Sequence, residues 1–209
     1  MKAIMISKPP KIVANILNRS TSILVFKNIT KEWKDYLKRK TNKIPKPIDV
    51  YIYCTKNKEK RIGSWLSLYC DSGRVTTDIK LEDACYQLNG KVIGEFVCNH
   101  ITNIEVLKSG LFTGGNPNGH CVSVVEKSML SPTEIKDYAK NKTNVFGWHI
   151  SNLVIYDKPK ELGEFKKHNR TCYYDHLGLA IPKCKDCKDC QITRPPQSWC
   201  YVESEVEGE

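Results

Sequence analysis

Basic side chains crowd the first third of this sequence. Lys8, Arg19 and Lys27 lead into Lys34, Lys38, Arg39, Lys40, Lys43 and Lys46, and Lys56, Lys58, Lys60 and Arg61 follow. Such a face can neutralise phosphates, and the interleaved Trp33, Tyr36 and Trp65 can stack on bases. The competing reading is a solvated lysine-rich surface, which charge runs usually are. Trp148-His149 is the sharpest single pair, because neighbours on a strand point to opposite sides and one of them faces away from the core or into a cavity. An imidazole near its ordinary pKa can donate to a phosphate or shuttle a proton. Thr21 and Ser22 are further hydroxyl donors, although a hydroxyl in a turn often caps its own backbone, and Glu95 is a candidate carboxylate for acid/base work.

The ten cysteines fall into two groups. Cys54, Cys70, Cys85, Cys98 and Cys121 are scattered, and Cys54 and Cys98 sit in apolar stretches that fit small buried side chains better than nucleophiles. Cys184-x2-Cys187-x2-Cys190 sets three thiols at metal-ligand spacing, with Cys172 or Cys200 as a fourth, so a thiolate zinc site can be assembled; His168 and His176 are alternatives. Free thiols on a loop are the competing reading, since zinc usually takes two separated Cys-x2-Cys pairs. The Cys-Pro pair that closes an iron–sulfur run is absent. No nucleotide-cofactor fingerprint occurs.

The chain that carries these groups has 209 residues and a net charge of +10, with 40% hydrophobic residues, enough for a real core and too many for a disordered chain. No apolar run reaches the length of a membrane span, and Pro9, Pro10 and Lys11 break the opening stretch, so no membrane partner and a cytoplasmic location are expected.

Positioning elements follow from periodicity. Lys2 to Ser7 reads as a strand, Pro9-Pro10 as a helix entry before Ile12, Val13, Ile16 and Leu17, and Ile23 to Lys27 as a second strand. Thr30 to Lys40 reads as a short helix in an exposed insertion. Asp49 to Thr55 is the best strand signal; Trp65 to Cys70 predicts another strand and Leu81 to Leu88 a helix. Lys91 to Ile101 alternates as a half-buried strand, Gly110 to His120 reads as a loop, and Ser131-Pro132-Thr133-Glu134 is a helix-capping signature. Val145 to Tyr156 and Trp199 to Val202 complete the strands. Strands separated by short helices, without a repeating β–α–β unit, give an α+β fold built on a small mixed barrel.

The blocks Ile16-Leu17-Asn18, Tyr51-Ile52-Tyr53-Cys54-Thr55-Lys56 and Gly90-Lys91-Val92-Ile93-Gly94-Glu95-Phe96, with Trp148-His149-Ile150-Ser151-Asn152-Leu153 and Arg194-Pro195-Pro196-Gln197-Ser198-Trp199, resemble the ASCH family of the PUA-like superfold. They are similar to its longer version from phages and prophages. The resemblance implies a small mixed β-barrel with flanking short helices and a cleft beside the first helix for RNA, a base or a nucleotide. It also implies, for some members, hydrolysis of acylated cytidine or RNA by a Lys and a carboxylate. This chain departs from that motif: Arg19, Thr21, Leu24 and Phe26 replace the family's Gly, Lys, Glu and Arg. Thr21 and Leu24 cannot move a proton as Lys and Glu do, so binding is the better reading than turnover.

The expectation is an ASCH/PUA-like domain over residues 1–165, with a basic insertion at about 28–48, and a Cys-rich segment over 166–209 closing onto the barrel. It should bind RNA, single-stranded nucleic acid or a nucleotide through Lys8, Thr21, Ser22, Lys27, Trp148 and His149, with structural zinc on Cys172, Cys184, Cys187, Cys190 and Cys200. Two rivals remain: a nucleoside amidohydrolase or ribonuclease using His149 and Glu95, and a phage protein that binds a host defence protein or sequesters a nucleotide signal.

Overall fold

The computed structural model describes residues 2–56, 88, 90–107, 110–113, 120–167 and 190–203. The expected Trp65–Cys70 strand, nearly all of the expected Leu81–Leu88 helix, and Cys172, Cys184, Cys187, His168 and His176 lie outside them.

Strand β1 (Lys2–Lys8) is the axis of the fold. It pairs in parallel with β3 (Ile48–Cys54) and antiparallel with β9 (Trp199–Glu203); β4 (Val92–Cys98) and β8 (Ser151–Lys160) extend the sheet in the order β8-β4-β3-β1-β9. A second sheet, β2-β7-β5-β6, is formed by β2 (Ile23–Phe26), β7 (Asn144–His149), β5 (Ile101–Leu107) and β6 (Gly110–Thr113). Only Asn99-His100 separates β4 from β5, and only Ile150 separates β7 from β8, so an adjacent pair of chain segments bends from one sheet into the other. The stretches expected as single strands therefore break in two at this corner, where His149 N–H bonds to His100 O and Ile150 N–H to Ser22 O. The fold is α+β as expected, with two sheets and short helices; no pairing among the described residues closes the sheets into a ring.

The main core lies between the sheets. Ile4, Ile6, Val50 and Ile52 from the first sheet meet Leu24, Phe26, Ile101 and Trp148 from the second, and helix α1 (Pro10–Leu17) seals it with Val13, Ile16 and Leu17. Pro10 occupies the first turn, where its missing N–H costs nothing. The outer face of the first sheet is covered by Phe165 and Ile192, and that of the second by α3 (His120–Ser128) and α4 (Pro132–Ala139). The expected capping box is present: Ser131 Oγ accepts from Glu134 N–H, and Glu134 accepts from Ser131 N–H.

Two expectations are corrected. Residues 110–113, read as loop because the stretch 110–120 holds four glycines, form β6, because β5 offers a partner edge in the register Ile104↔Thr113 to Leu107↔Gly110, and His120 opens α3 rather than closing a loop. Helix α2 (Lys31–Leu37) is no free-standing insertion: Trp33 is 2% exposed within the main core, with Tyr36 and Leu37 packed beside it.

Candidate functional site

Helix α1 ends in a tight turn that builds one side of a pocket. Arg19 takes φ +54°, a left-handed conformation that favours glycine, so that Arg19 N–H reaches Ile16 O and the N–H groups of Ser20 and Thr21 reach Asn15 O. Beyond the turn, Arg19, Thr21 and Ser22 face Ile150, Asn152 and Leu153 across a cavity of about 400 Å³. Thr21 is buried and its hydroxyl has no partner among the described residues; the Asn18 amide is in the same position. Ser22 is exposed, with its backbone tied to Lys127 O and Ile150 N–H. A ligand bearing both donors and acceptors can satisfy groups of this kind.

A second pocket, of about 380 Å³, lies where β2 leads into α2. Lys27, Lys34, Lys38 and Lys142 surround it, with Asn28, Asn141, Thr143 and Asn144 between them, Ile29 and Phe146 as its apolar part, and no carboxylate in its lining among the described residues. Lys142 Nζ donates to Asn28 Oδ1 at 2.8 Å and to Lys27 O at 3.4 Å, and Lys27 Nζ lies 4.8 Å from the Tyr138 ring centroid, so two of the cations are held in place. Lys27, Lys34 and Lys38 belong to the basic run read from sequence. Lys142, Asn144 and Phe146, more than a hundred residues away, carry no sequence signal that ties them to it.

Lys8 ends β1 on the inner face, in alternation with Ile4 and Ile6. Although the residue is only half-buried, its ammonium points inward: Nζ lies 3.7 Å from the Phe26 ring centroid and 3.5 Å from Val25 O. Burial pulls its pKa from 10.5 down to about 7. Phe26, where the resembling family has Arg, thus serves as an aromatic floor for Lys8.

The remaining expected contacts are dispersed. Trp148 is fully buried; it packs on Phe26 at 4.7 Å and Trp199 at 6.1 Å between ring centroids, so it is a core residue and not a base-stacking surface, and Trp33 is buried likewise. His149 points the other way, as the alternation requires. Its Nε2 is 2.8 Å from Thr102 Oγ1 and its ring is edge-on to His100 at 4.6 Å. Burial, then the charges of His100 and Lys127, hold its pKa down at about 4. It is therefore neutral at pH 7, which corrects the expectation of an imidazole near its ordinary pKa. Glu95 lies across from Tyr51 on the outer face of the first sheet and accepts from the Tyr156 hydroxyl at 2.8 Å. His149 and Glu95 are thus on opposite outer faces of the two sheets, and the acid/base pair expected of them is not assembled.

Cys54 and Cys98 are buried, and burial pushes both thiols up to about 12. Cys190 is buried, with its carbonyl accepting from Lys167 N–H at 2.9 Å, and Cys200 is half-buried against the cluster of Phe165, Ile192 and Val202. Among the described residues no three His, Cys, Asp or Glu side chains converge as a metal site. No described helix is long and apolar enough to cross a membrane.

No family model matches this chain, and no curated protein matches it. Among solved structures it is similar to a crystal structure of ASCH from Zymomonas mobilis, with 13% identity and a TM-score of 0.45 over 97% of this chain and 89% of that one. It is similar also to two single-residue mutants of that protein, each at 13% identity. Their TM-scores are 0.41, over 97% of this chain and 91% of that one, and 0.42, over 96% and 88%.

Proposed function

We propose that the protein binds single-stranded nucleic acid, RNA above all, or a nucleotide, through the lysine-lined pocket at the β2–α2 junction. The observation that carries this reading is the gathering of Lys27, Lys34, Lys38 and Lys142 around one concavity with no carboxylate among its described lining residues. Opposing carboxylates would neutralise such a cluster. Without them the lysines repel one another, and phosphate oxygens relieve that repulsion while releasing counterions. The amides of Asn28, Asn141 and Asn144 can hydrogen-bond to bases or sugars, and the half-buried Phe146 offers a stacking surface. The turn pocket supports the same reading, with the Arg19 guanidinium for a phosphate and Thr21 and Ser22 as short-range donors.

The test is fluorescence anisotropy with a labelled single-stranded RNA at several salt concentrations. Affinity should fall linearly in log–log form with salt, and Lys34→Glu with Lys38→Glu should weaken binding and flatten the slope. Binding that ignores both salt and these substitutions would sink the reading.

We also propose that zinc staples the Cys-rich segment through Cys184, Cys187 and Cys190, with Cys172 as the fourth ligand. Their spacing supports this, and the packing of Cys200 in an apolar cluster makes it the weaker choice for that position. Metal analysis should find one zinc per chain, lost in Cys184→Ser with Cys187→Ser; metal-free protein of unchanged stability would refute it.

A further inference from the structure

The ring of Tyr138 stands beside the lysine pocket but outside its lining. It lies on α4, is 37% exposed, and is the only aromatic among the described large apolar side chains that are exposed; Trp33 and Trp148 are closed off in the core. Lys27, one of the four cations around the pocket, holds its Nζ 4.8 Å from the Tyr138 ring centroid. We propose, resting on the nucleic-acid reading of that pocket, that Tyr138 stacks on the base next to the one the pocket holds, so that the site takes a strand of two or more nucleotides and not a free mononucleotide.

Three features suit the ring to this part. Its orientation is set before a ligand arrives, because the Lys27 backbone N–H and the Ser198 hydroxyl both donate toward the phenol oxygen and so tie α4 to the end of β2 and to the segment before β9. A ring held at its hydroxyl end loses little further rotamer freedom when a base settles on it. The second feature is the cation that links ring and pocket. A phosphate held on Lys27 brings the base of the adjoining nucleotide within reach of a ring centred 4.8 Å from that ammonium, while Phe146 on the pocket's own wall is available to the base inside. Aromatic surfaces for successive bases, with cations for the phosphates between them, are how single strands are held without sequence preference. The third feature is size. At about 380 Å³ the pocket is at the small end of ligand-site volumes and suits one nucleotide, so a second base has to lie outside it, where Tyr138 is the exposed ring that Lys27 leads to.

The probes are 5′-phosphorylated diadenylate and its two versions that each lack one base, titrated into the full-length protein by calorimetry. All three carry the same charge, so differences among them report base contacts and not phosphate contacts. Wild type should bind diadenylate about tenfold more tightly than either abasic version, the scale of one stacked base. In Tyr138→Ala the tighter of the two abasic versions should bind as well as diadenylate, because the second base has lost its platform. Tyr138→Phe keeps the ring and should retain the tenfold difference. If Tyr138→Ala fails to fold, Tyr138→Leu, which fills the space without a π-face, carries the same test. An abasic version that equals diadenylate on wild type, or a tenfold difference that survives intact in Tyr138→Ala or Tyr138→Leu, would overturn the role of Tyr138 while leaving the lysine pocket standing. Lys34→Glu with Lys38→Glu should weaken all three probes alike; if it leaves them unchanged, or if none of them binds wild type, the lysine pocket falls and the role of Tyr138 with it.

Discussion

Lys8 is the residue whose chemistry departs furthest from its ordinary behaviour. Its ammonium is desolvated and, among the described residues, has the Phe26 ring and one long backbone contact in compensation. With a native pKa of about 7 against 10.5, the unfolded chain holds more protons between those values. Stability should therefore rise with pH from about 7 to 10.5, and the cost of the buried charge is in full force below 7. Chemical denaturation from pH 6 to 10 should show that rise, and Lys8→Met should abolish it and gain most at pH 6. His149 acts in a lower window. Its native pKa of about 4 lies below the usual 6.5, so stability should fall as pH drops from 6.5 towards 4, and His149→Gln should lose that part of the acid transition. Arg19 offers a third test. Its φ of +54° costs an L-residue roughly 1 kcal/mol that glycine avoids, so Arg19→Gly should stabilise the fold by up to about that amount in denaturant melts while weakening anion binding at the turn pocket.

At the scale of elements, the register of β4 against its neighbours matters most. A Cβ on Gly94 would collide with the Val154 carbonyl of β8, a backbone atom that cannot move aside, beside the irregularities where β4 meets β3 and β8. Gly94→Ala should destabilise the protein by roughly 2 kcal/mol or more, read as a drop in melting temperature, because strand separation is the only relief. Helix α4 is a milder case. Ser131→Ala removes the hydroxyl half of the capping box and should cost about 1 kcal/mol in the same measurement. Helix α2 differs from both because it serves two pockets. Lys34 and Lys38 line the basic one, Glu32 and Asp35 face the cavity beside the 41–47 connector, and buried Trp33 pins the helix to the main core.

For the whole molecule, the excess of ten positive charges becomes informative only through its distribution. A uniformly basic surface would bind polyanions weakly and everywhere. Concentration of Lys27, Lys34, Lys38 and Lys142 in one concavity predicts a localised footprint, so Lys142→Glu should weaken RNA as strongly as Lys34→Glu although they are distant in sequence. Substitution of Lys166, half-buried beside the Phe165 cluster on the far side of the first sheet, should leave RNA affinity almost unchanged. Parallel anisotropy titrations of the three variants at one salt concentration decide between the two pictures.

Much of the frame was legible in local sequence. The strands at Lys2–Lys8, Ile23–Phe26, Ile48–Cys54 and Trp199–Glu203, the Pro-initiated α1 and the Ser131 cap all follow from patterns that local physics dictates: alternation, a ring that fits only the first helical turn, a hydroxyl three residues before a carboxylate. The lysine run and the opposite facing of Trp148 and His149 were legible for the same reason. What side chains meet was not. Strand β6 exists because β5 presents an unpaired edge, and the strands split at Ile150 and Asn99-His100 because the chain must turn from one sheet to the other. Burial of Trp33 and Trp148, separation of His149 from Glu95, and the arrival of Lys142 and Phe146 beside Lys27 are all set by contacts between segments far apart in the chain. Periodicity reports which face of its own element a residue occupies; only the packing of the two sheets determines what that face confronts.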